Sequence, residues 1–318
     1  MTKRECYDIC IENKRNSLSS RIAARDNALA KLESNNPRFA EIKRLMSALG
    51  AKIAITAIAG DKKKLKDMED TLSALDEERR GIVKCAGIED IEYECENCHD
   101  TGYCAGKICD CIKRAATELY IGKLSEVAPI GDCRFENFDL SYYPDTETES
   151  GNPKKRMTSI LKLCREYVIK FDPKTSESLL FTGNTGLGKT HLSLAIAYEL
   201  LLKGYDVIYG SAYNLFSKME SEHFSGHSDK SYLDAVGCDL LIIDDLGGEF
   251  VSPYIQSLVY NIVNTRLLAR KPTIINTNLS MQDINNIYTP RVASRLLGEY
   301  NAKRFLGIDI RQQKSAAK

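Results

Sequence analysis

The stretch that most limits what this chain can fold into begins at Leu179 and reads LLFTGNTGLGKTHLSLAIAYELL. A short apolar run stops at a glycine-rich turn, and a helix-length segment striped with apolar residues follows. The turn spells Gly183-Asn184-Thr185-Gly186-Leu187-Gly188-Lys189-Thr190, with His191 next. Glycines at these places let backbone N–H groups point inward around a phosphate chain. Lys189 supplies a cation for the outer phosphates, and the Thr190 hydroxyl a ligand for Mg2+. The helix that starts here adds the positive end of its dipole. A strand before the turn and a helix after it are the context that such a phosphate loop requires, so the segment predicts a nucleoside triphosphate site.

From Ser178 onward short apolar runs alternate with helical patterns. SLLFTG, DVIYG, DLLIIDD and PTIINT read as buried strands, with helical patterns at 189–203, 211–220, 253–269 and 289–298. This alternation implies an α/β domain in three layers, a parallel sheet with helices on both faces. The nucleotide is expected at the carboxyl ends of the strands. In LLIIDD an apolar strand ends in acid. Asp244 is expected to join the Mg2+ shell through water, and Asp245 to orient or activate the attacking water. A capping pair at a strand end is the plainer alternative. Asn278, at the end of TIINTN, is in a position to reach a γ-phosphate or its water. YTPRVASRLLGEY places Arg291 and Arg295 one helical turn apart. They are either a solvated pair or a cation clamped on the γ-phosphate of a neighbouring subunit, and spacing does not decide between these.

Upstream the composition changes. Residues 1–88 are rich in charge and in Ala, Leu and Ile. Ile42, Leu45, Leu49 and Ile53, then Leu65, Met68, Leu72 and Leu75, recur at helical spacing. SNNP at 34–37 and Gly60-Asp61 are expected helix breaks, so two or three helices are predicted, as a scaffold or as a partner-docking module. Residues 89–115 form a cysteine module. Cys95-x2-Cys98 and Cys109-x-Cys111 have the close pairing that suits a tetrahedral Zn2+ site, with Cys104 and His99 as competing ligands. So short a segment has too few apolar residues for a core of its own, and a metal is expected to hold it. Residues 116–175 read as a connector centred on FENFDLSYYPDTETESGNP, followed by an amphipathic helix KRMTSILKLCREYVIKF. The nucleotide domain occupies 176–318.

Lys+Arg and Asp+Glu both number 44, so no overall basic field advertises nucleic acid. Absence of a bilayer-length apolar run and of a signal-peptide core at the start points to a cytoplasmic protein without a membrane partner. In that compartment 11 cysteines argue for metal or thiols rather than disulfides. In SAYNLFSKMES, Phe216 beside Lys218 is either a base-stacking aromatic with a phosphate cation or a core residue beside a solvated one.

The run FENFDLSYYP, GNTGLGKTHLSLAIA, LLIIDDLGGE, TIINTNLS, RVASRLLGEY and GIDIRQQK, over roughly residues 130–314, resembles the DnaC/DnaI/IstB family of AAA+ ATPases. The cysteine module before it is similar to the helicase-loader side of that family. The resemblance implies an AAA+ core binding ATP and Mg2+ and ATP-dependent homo-oligomers, while the short Asp245 side chain fits slow, switch-like hydrolysis. It also implies a replicative helicase as partner, gripped through a zinc-bearing N-terminal region, and single-stranded DNA as the place of loading. It assigns Asn278 the sensor position, Arg295 the arginine finger with Arg291 as runner-up, and Arg311 a second-sensor role. Where many AAA+ proteins have Glu after the acidic strand end, this chain has Asp245, and Glu249 is a candidate substitute base. An IstB-like helper of transposition and an ATP-gated interaction protein without appreciable turnover are the alternatives.

Overall fold

A computed structural model describes residues 3–59, 61–126, 128–226 and 229–316. The chain divides into two compact units, one of residues 9–112 and one of 113–318 together with the first eight residues.

The unit of residues 9–112 is helical, followed by a small knuckle. Its helices are α1 (Lys3–Asn35), α2 (Pro37–Ala59) and α3 (Lys62–Cys85). The break between α1 and α2 falls in SNNP, where the Asn36 carboxamide accepts from the Phe39 amide at 3.0 Å and Pro37 opens the new helix with a ring that needs no hydrogen-bond donor. Asp61 caps α3 through the Lys64 amide; Gly60, the other half of that expected break, lies outside the described residues. Leu49, Ile53, Leu65, Met68, Leu72 and Leu75 are half-buried where α2 packs on α3, and Arg38 forks onto both carboxylate oxygens of Glu78 at 2.8 Å each. Leu45, expected on the same stripe, is exposed. Among the described residues the buried apolar side chains of this unit are Ile11, Phe39, Ile42 and Ile112, with Cys98 and Cys109. At about 1.5–3 kcal/mol per buried aliphatic or aromatic side chain, so few supply little against the entropy of ordering the chain.

The knuckle contains a two-residue hairpin, β1 (Tyr103–Cys104) against β2 (Lys107–Ile108). Its turn, Ala105-Gly106, has positive φ at both residues (48° and 74°), the handedness that matches strand twist. Then α4 (Asp110–Ser125) begins.

In the second unit α4 leads to two 3-10 turns at Phe135–Asn137 and Leu140–Tyr142, then to α5 (Pro153–Ile169). The rest alternates: β3 (Ser178–Thr182), α6 (Lys189–Leu202), β4 (Val207–Ser211), α7 (Ala212–Phe224), α8 (Lys230–Gly237), β5 (Leu240–Leu246), α9 (Pro253–Leu268), β6 (Thr273–Thr277), α10 (Met281–Tyr288), α11 (Pro290–Glu299), β7 (Tyr300–Arg304) and α12 (Ile310–Ala316). The five strands from β3 to β7 form one parallel sheet in the order β4-β5-β6-β3-β7. Leu180, Leu241, Ile243 and Ile275 share a core with Phe216, Val259, Ile262 and Leu296 from α7, α9 and α11. The alternate residues Leu179, Phe181, Ile242 and Ile274 are equally buried. A sheet covered on both faces explains why its strands read as unbroken apolar runs. The four expected strands are present; β7, with the sequence YNAKR, is a fifth, and α8, α10 and α12 are additional helices. No helix among the described residues is long and apolar enough to cross a membrane.

Candidate functional site

The glycine turn runs from the end of β3 to the first residue of α6, the connection expected of a phosphate loop. Gly188 sits at the N-cap of α6 with φ 88°. A Cβ there would lie 2.8 Å from Cε2 of Phe138 and 3.0 Å from the Tyr143 hydroxyl, so any side chain would push the connector's aromatics off the turn. Tyr143 in turn donates to the Leu187 carbonyl at 2.9 Å. Lys189 is 7% exposed and donates to the Gly183 and Asn184 carbonyls at 2.6 and 2.7 Å, and to the Asn278 carboxamide. Burial pushes its ammonium down to about 8, with Asp245 and Asp244 pulling the other way. A phosphate in the turn would supply the missing countercharge.

Asp244 and Asp245 owe their positions to an irregularity of the sheet. Ile243 pairs with Ile275 and Leu246 with Thr277, so two acidic residues on β5 stand against Asn276 alone on β6. Such a bulge re-aims side chains. Asp245 takes φ 55°, a left-handed conformation that costs a non-glycine residue roughly 1 kcal/mol or more. The result is a division of labour between neighbours. Asp244 is buried and accepts from the Thr190 hydroxyl at 3.0 Å. Asp245 is exposed and accepts from the Asn278 amide at 3.1 Å. Lys189, Asn278 and Asp245 thus form one string of hydrogen bonds. Thr190 and Asp244 bring a hydroxyl and a carboxylate together, hard oxygen donors of the kind Mg2+ takes alongside phosphate and water.

Thr185, Gly186, Leu187, Gly188, Lys189, Thr190, His191, Asp244, Asp245 and Asn278 all line one cavity of about 400 Å³. Gly183 and Asn184 line the adjoining ones. The rest of the wall was not anticipated from sequence: Pro129, Cys133, Asn137, Phe138, Asp139, Tyr142 and Tyr143 from the connector, Asn276 from β6, and Ile310 and Lys314 beside Arg311 on α12. His191 meets the Arg134 carbonyl at 2.8 Å and the edge of Phe138. The available signal was the density of aromatics in FENFDLSYYP, unusual for a solvated linker.

Arg295 and Arg291 do not line this cavity. Both lie on α11, Arg291 exposed and Arg295 half-buried. Glu249 accepts from the Gly247 amide at 3.0 Å and from the buried Tyr288 hydroxyl, and is not part of the cavity wall. Phe216 is 1% exposed and belongs to the core beneath the sheet, so the base-stacking alternative gives way to the core one. Lys218 is exposed, 3.9 Å from Glu222.

In the other unit the sulfurs of Cys95, Cys98, Cys109 and Cys111 lie within 4.8 Å of one another. Cys95 and Cys109 are 3.8 Å apart, Cys98 and Cys111 3.6 Å. Four thiolates at about 2.3 Å from a tetrahedral ion stand about 3.8 Å from each other, so the group has the dimensions of a metal site. Cys104 instead donates to the Asn97 carbonyl at 2.7 Å, and His99 packs edge-on against Tyr93; neither is in the group. Asp100, fully buried, organises the first cysteine turn. Its carboxylate accepts from the Glu94 and Cys95 amides at 3.0 Å each and from Lys14 and Arg21 of α1. Burial would raise its pKa, but Arg21, the amides and Lys14 together hold it down to about 2.

Residues 152–298 match the protein family described as IstB-like ATP binding protein. The replicative helicase loader DnaC of Escherichia coli (strain K12) is 33% identical over 167 residues, which cover 52% of this chain and 63% of that protein. The DnaC of Buchnera aphidicola subsp. Schizaphis graminum (strain Sg) is 28% identical over 169 residues with the same coverage. The chain thus spans somewhat under two thirds of the length of these relatives. Among solved structures, a DnaC helicase loader superposes with TM-score 0.45 and 24% identity over 54% of this chain and 98% of that one.

Proposed function

We propose that the chain is an ATPase that acts as a switch in loading a replicative ring helicase onto single-stranded DNA. The observation that carries this reading is the Lys189–Asn278–Asp245 string beside the Thr190–Asp244 pair, in a chain similar to proteins named helicase loaders. Lys189 holds the outer phosphates of ATP, and Thr190 and Asp244 hold Mg2+, which offsets the charge developing on the transferred phosphoryl group. Asp245 stands to accept a hydrogen bond from a water facing the γ-phosphate, with Asn278 fixing its carboxylate. Its short side chain and strained backbone suit slow turnover. Cys95, Cys98, Cys109 and Cys111 hold Zn2+. The helical unit is the helicase grip: Ile55 and Ile58 on α2 are apolar side chains left 69% and 90% exposed among the described residues. The test is co-purification of the full chain with the replicative helicase of its own host, and release of that helicase onto single-stranded DNA when ATP is supplied. Failure to bind the helicase, with binding to a transposase instead, favours the helper of transposition that the IstB-like match keeps open.

Arg295 is proposed to act on the nucleotide of a neighbouring subunit, since it does not reach the cavity of its own chain. Arg295→Ala should bind ATP nearly normally, lose ATP-dependent oligomers, and hydrolyse on the order of 10³-fold more slowly. Mixing it with Lys189→Ala protein pairs an intact glycine turn on one chain with an intact arginine from the other, so part of the activity should return. Turnover is followed across mixing ratios at fixed total protein. Activity that never exceeds the sum of the two separate variants rules out the trans role and moves the test to Arg291.

A further inference from the structure

Asp244 is held by more than its partner in the glycine turn. Its Oδ1 accepts from the Thr190 hydroxyl at 3.0 Å and from the Asn276 amide at 2.7 Å. Its Oδ2 accepts from the Tyr209 hydroxyl at 2.7 Å. Tyr209 stands on β4 and Asn276 on β6, the strands on either side of β5, so both neighbours reach across to one carboxylate.

Stability alone does not explain the choice of Asn276. Asn276 is 1% exposed in a strand of isoleucines. Its Nδ2 donates to Ser193 and Asp244, while its Oδ1 has no partner among the described residues. A buried acceptor left unmet is a cost that an apolar side chain would not incur. Thr277, one residue on, shows the alternative: its hydroxyl is satisfied by the Leu246 carbonyl.

We infer that Tyr209 and Asn276 are positioning residues for the Mg2+ shell, holding one oxygen each of Asp244. The inference rests on the Mg2+–ATP reading proposed above. Thr190 has a single hydroxyl. That oxygen can face the cation through a lone pair while its O–H still donates to Asp244, and the Tyr209 and Asn276 donors fix the plane of the carboxylate. A carboxylate offers about four acceptor positions; with these three donors in place a position on Oδ2 stays free for metal-bound water. Donors behind a ligating or water-bridging carboxylate commonly change metal affinity or activity about 10-fold or more when removed.

The test is calorimetric titration of the full chain with a non-hydrolysable ATP analogue, once in EDTA and once across a series of MgCl2 concentrations. Tyr209→Phe removes only the hydroxyl, and Asn276→Ala the amide. Tyr209→Phe should bind the analogue in EDTA as the parent does, and both variants should need about 10-fold more Mg2+ for the half-maximal gain in affinity. Where Asn276→Ala does not fold, Tyr209→Phe decides alone. An unchanged Mg2+ midpoint in Tyr209→Phe overturns the inference and leaves the hydroxyl a structural contact. An equal loss of affinity with and without Mg2+ also overturns it, because the defect then lies in the glycine turn. A parent protein whose affinity does not respond to Mg2+ at all rejects the underlying Mg2+–ATP reading, and the inference with it.

Discussion

Lys189→Ala is expected to leave a folded protein that no longer binds or turns over ATP. The ammonium is the one lysine charge within the turn, buried against two of the turn's own carbonyls and Asn278. Its pKa is pushed down to about 8 by burial, which Asp245 and Asp244 offset only in part. Truncating it removes the cation from a site built to receive several negative charges, and turnover should fall on the order of 10²–10³-fold at least. Folding is affected far less. The buried charge is itself a burden on the nucleotide-free protein, so its loss offsets the three hydrogen bonds that go with it. The thermal midpoint without nucleotide should stay within about 4 °C of the parent, the shift that about 1 kcal/mol produces at this size. The stabilisation that ATP confers on the parent should be absent from the variant. Undiminished affinity and turnover would remove Lys189 from the phosphate site and take the assignment of the glycine turn with it.

Removing metal from the cysteine knuckle is expected to unfold it. Elemental analysis of protein purified without chelator should give about one Zn2+ per chain. Structural zinc in small modules contributes on the order of 10 kcal/mol or more of folding free energy, and the unit of residues 9–112 has few buried apolar side chains to compensate. A strong chelator should therefore expose the amides of the knuckle, about residues 92–112, to rapid hydrogen exchange, while the sheet of the other unit keeps its protection. Asp100 ties the first cysteine turn to α1 through Lys14 and Arg21, but among the described residues it has no bond to the turn that carries Cys109 and Cys111, so the metal is what joins the two pairs. Cys109→Ser with Cys111→Ser should lose the metal. Retained zinc in that double variant would move the ligand role to Cys104 or His99. Metal-free protein with a protected knuckle would refute the site altogether.

The parts legible in the sequence share a physical cause. The glycine turn, the four buried strands and the cysteine pairs are all local: backbone freedom at Gly186 and Gly188, unbroken apolar runs and ligand spacing each act over a few residues, so a linear reading finds them. Asp244, Asp245 and Asn278 could be named as site residues because strand ends are where a parallel sheet delivers side chains. The four sulfurs could be singled out from 11 cysteines because two close pairs suit one ion, although setting Cys104 aside took the hairpin that turns it toward the Asn97 carbonyl. What only the tertiary structure decided is non-local. YNAKR is polar and short, and becomes the strand β7 solely by pairing with β3 at the sheet edge. The bulge that turns Asp244 inward and Asp245 outward exists only as a register shift against β6. Phe138 and Tyr143 wall the cavity because the connector folds back onto Gly188, some 45 to 50 residues ahead of them in the chain. Phe216, ambiguous in a helix pattern that fits either reading, is core because α7 lays that face on the sheet. Spacing along a chain determines which side chains are available, and contact across it determines which of them meet.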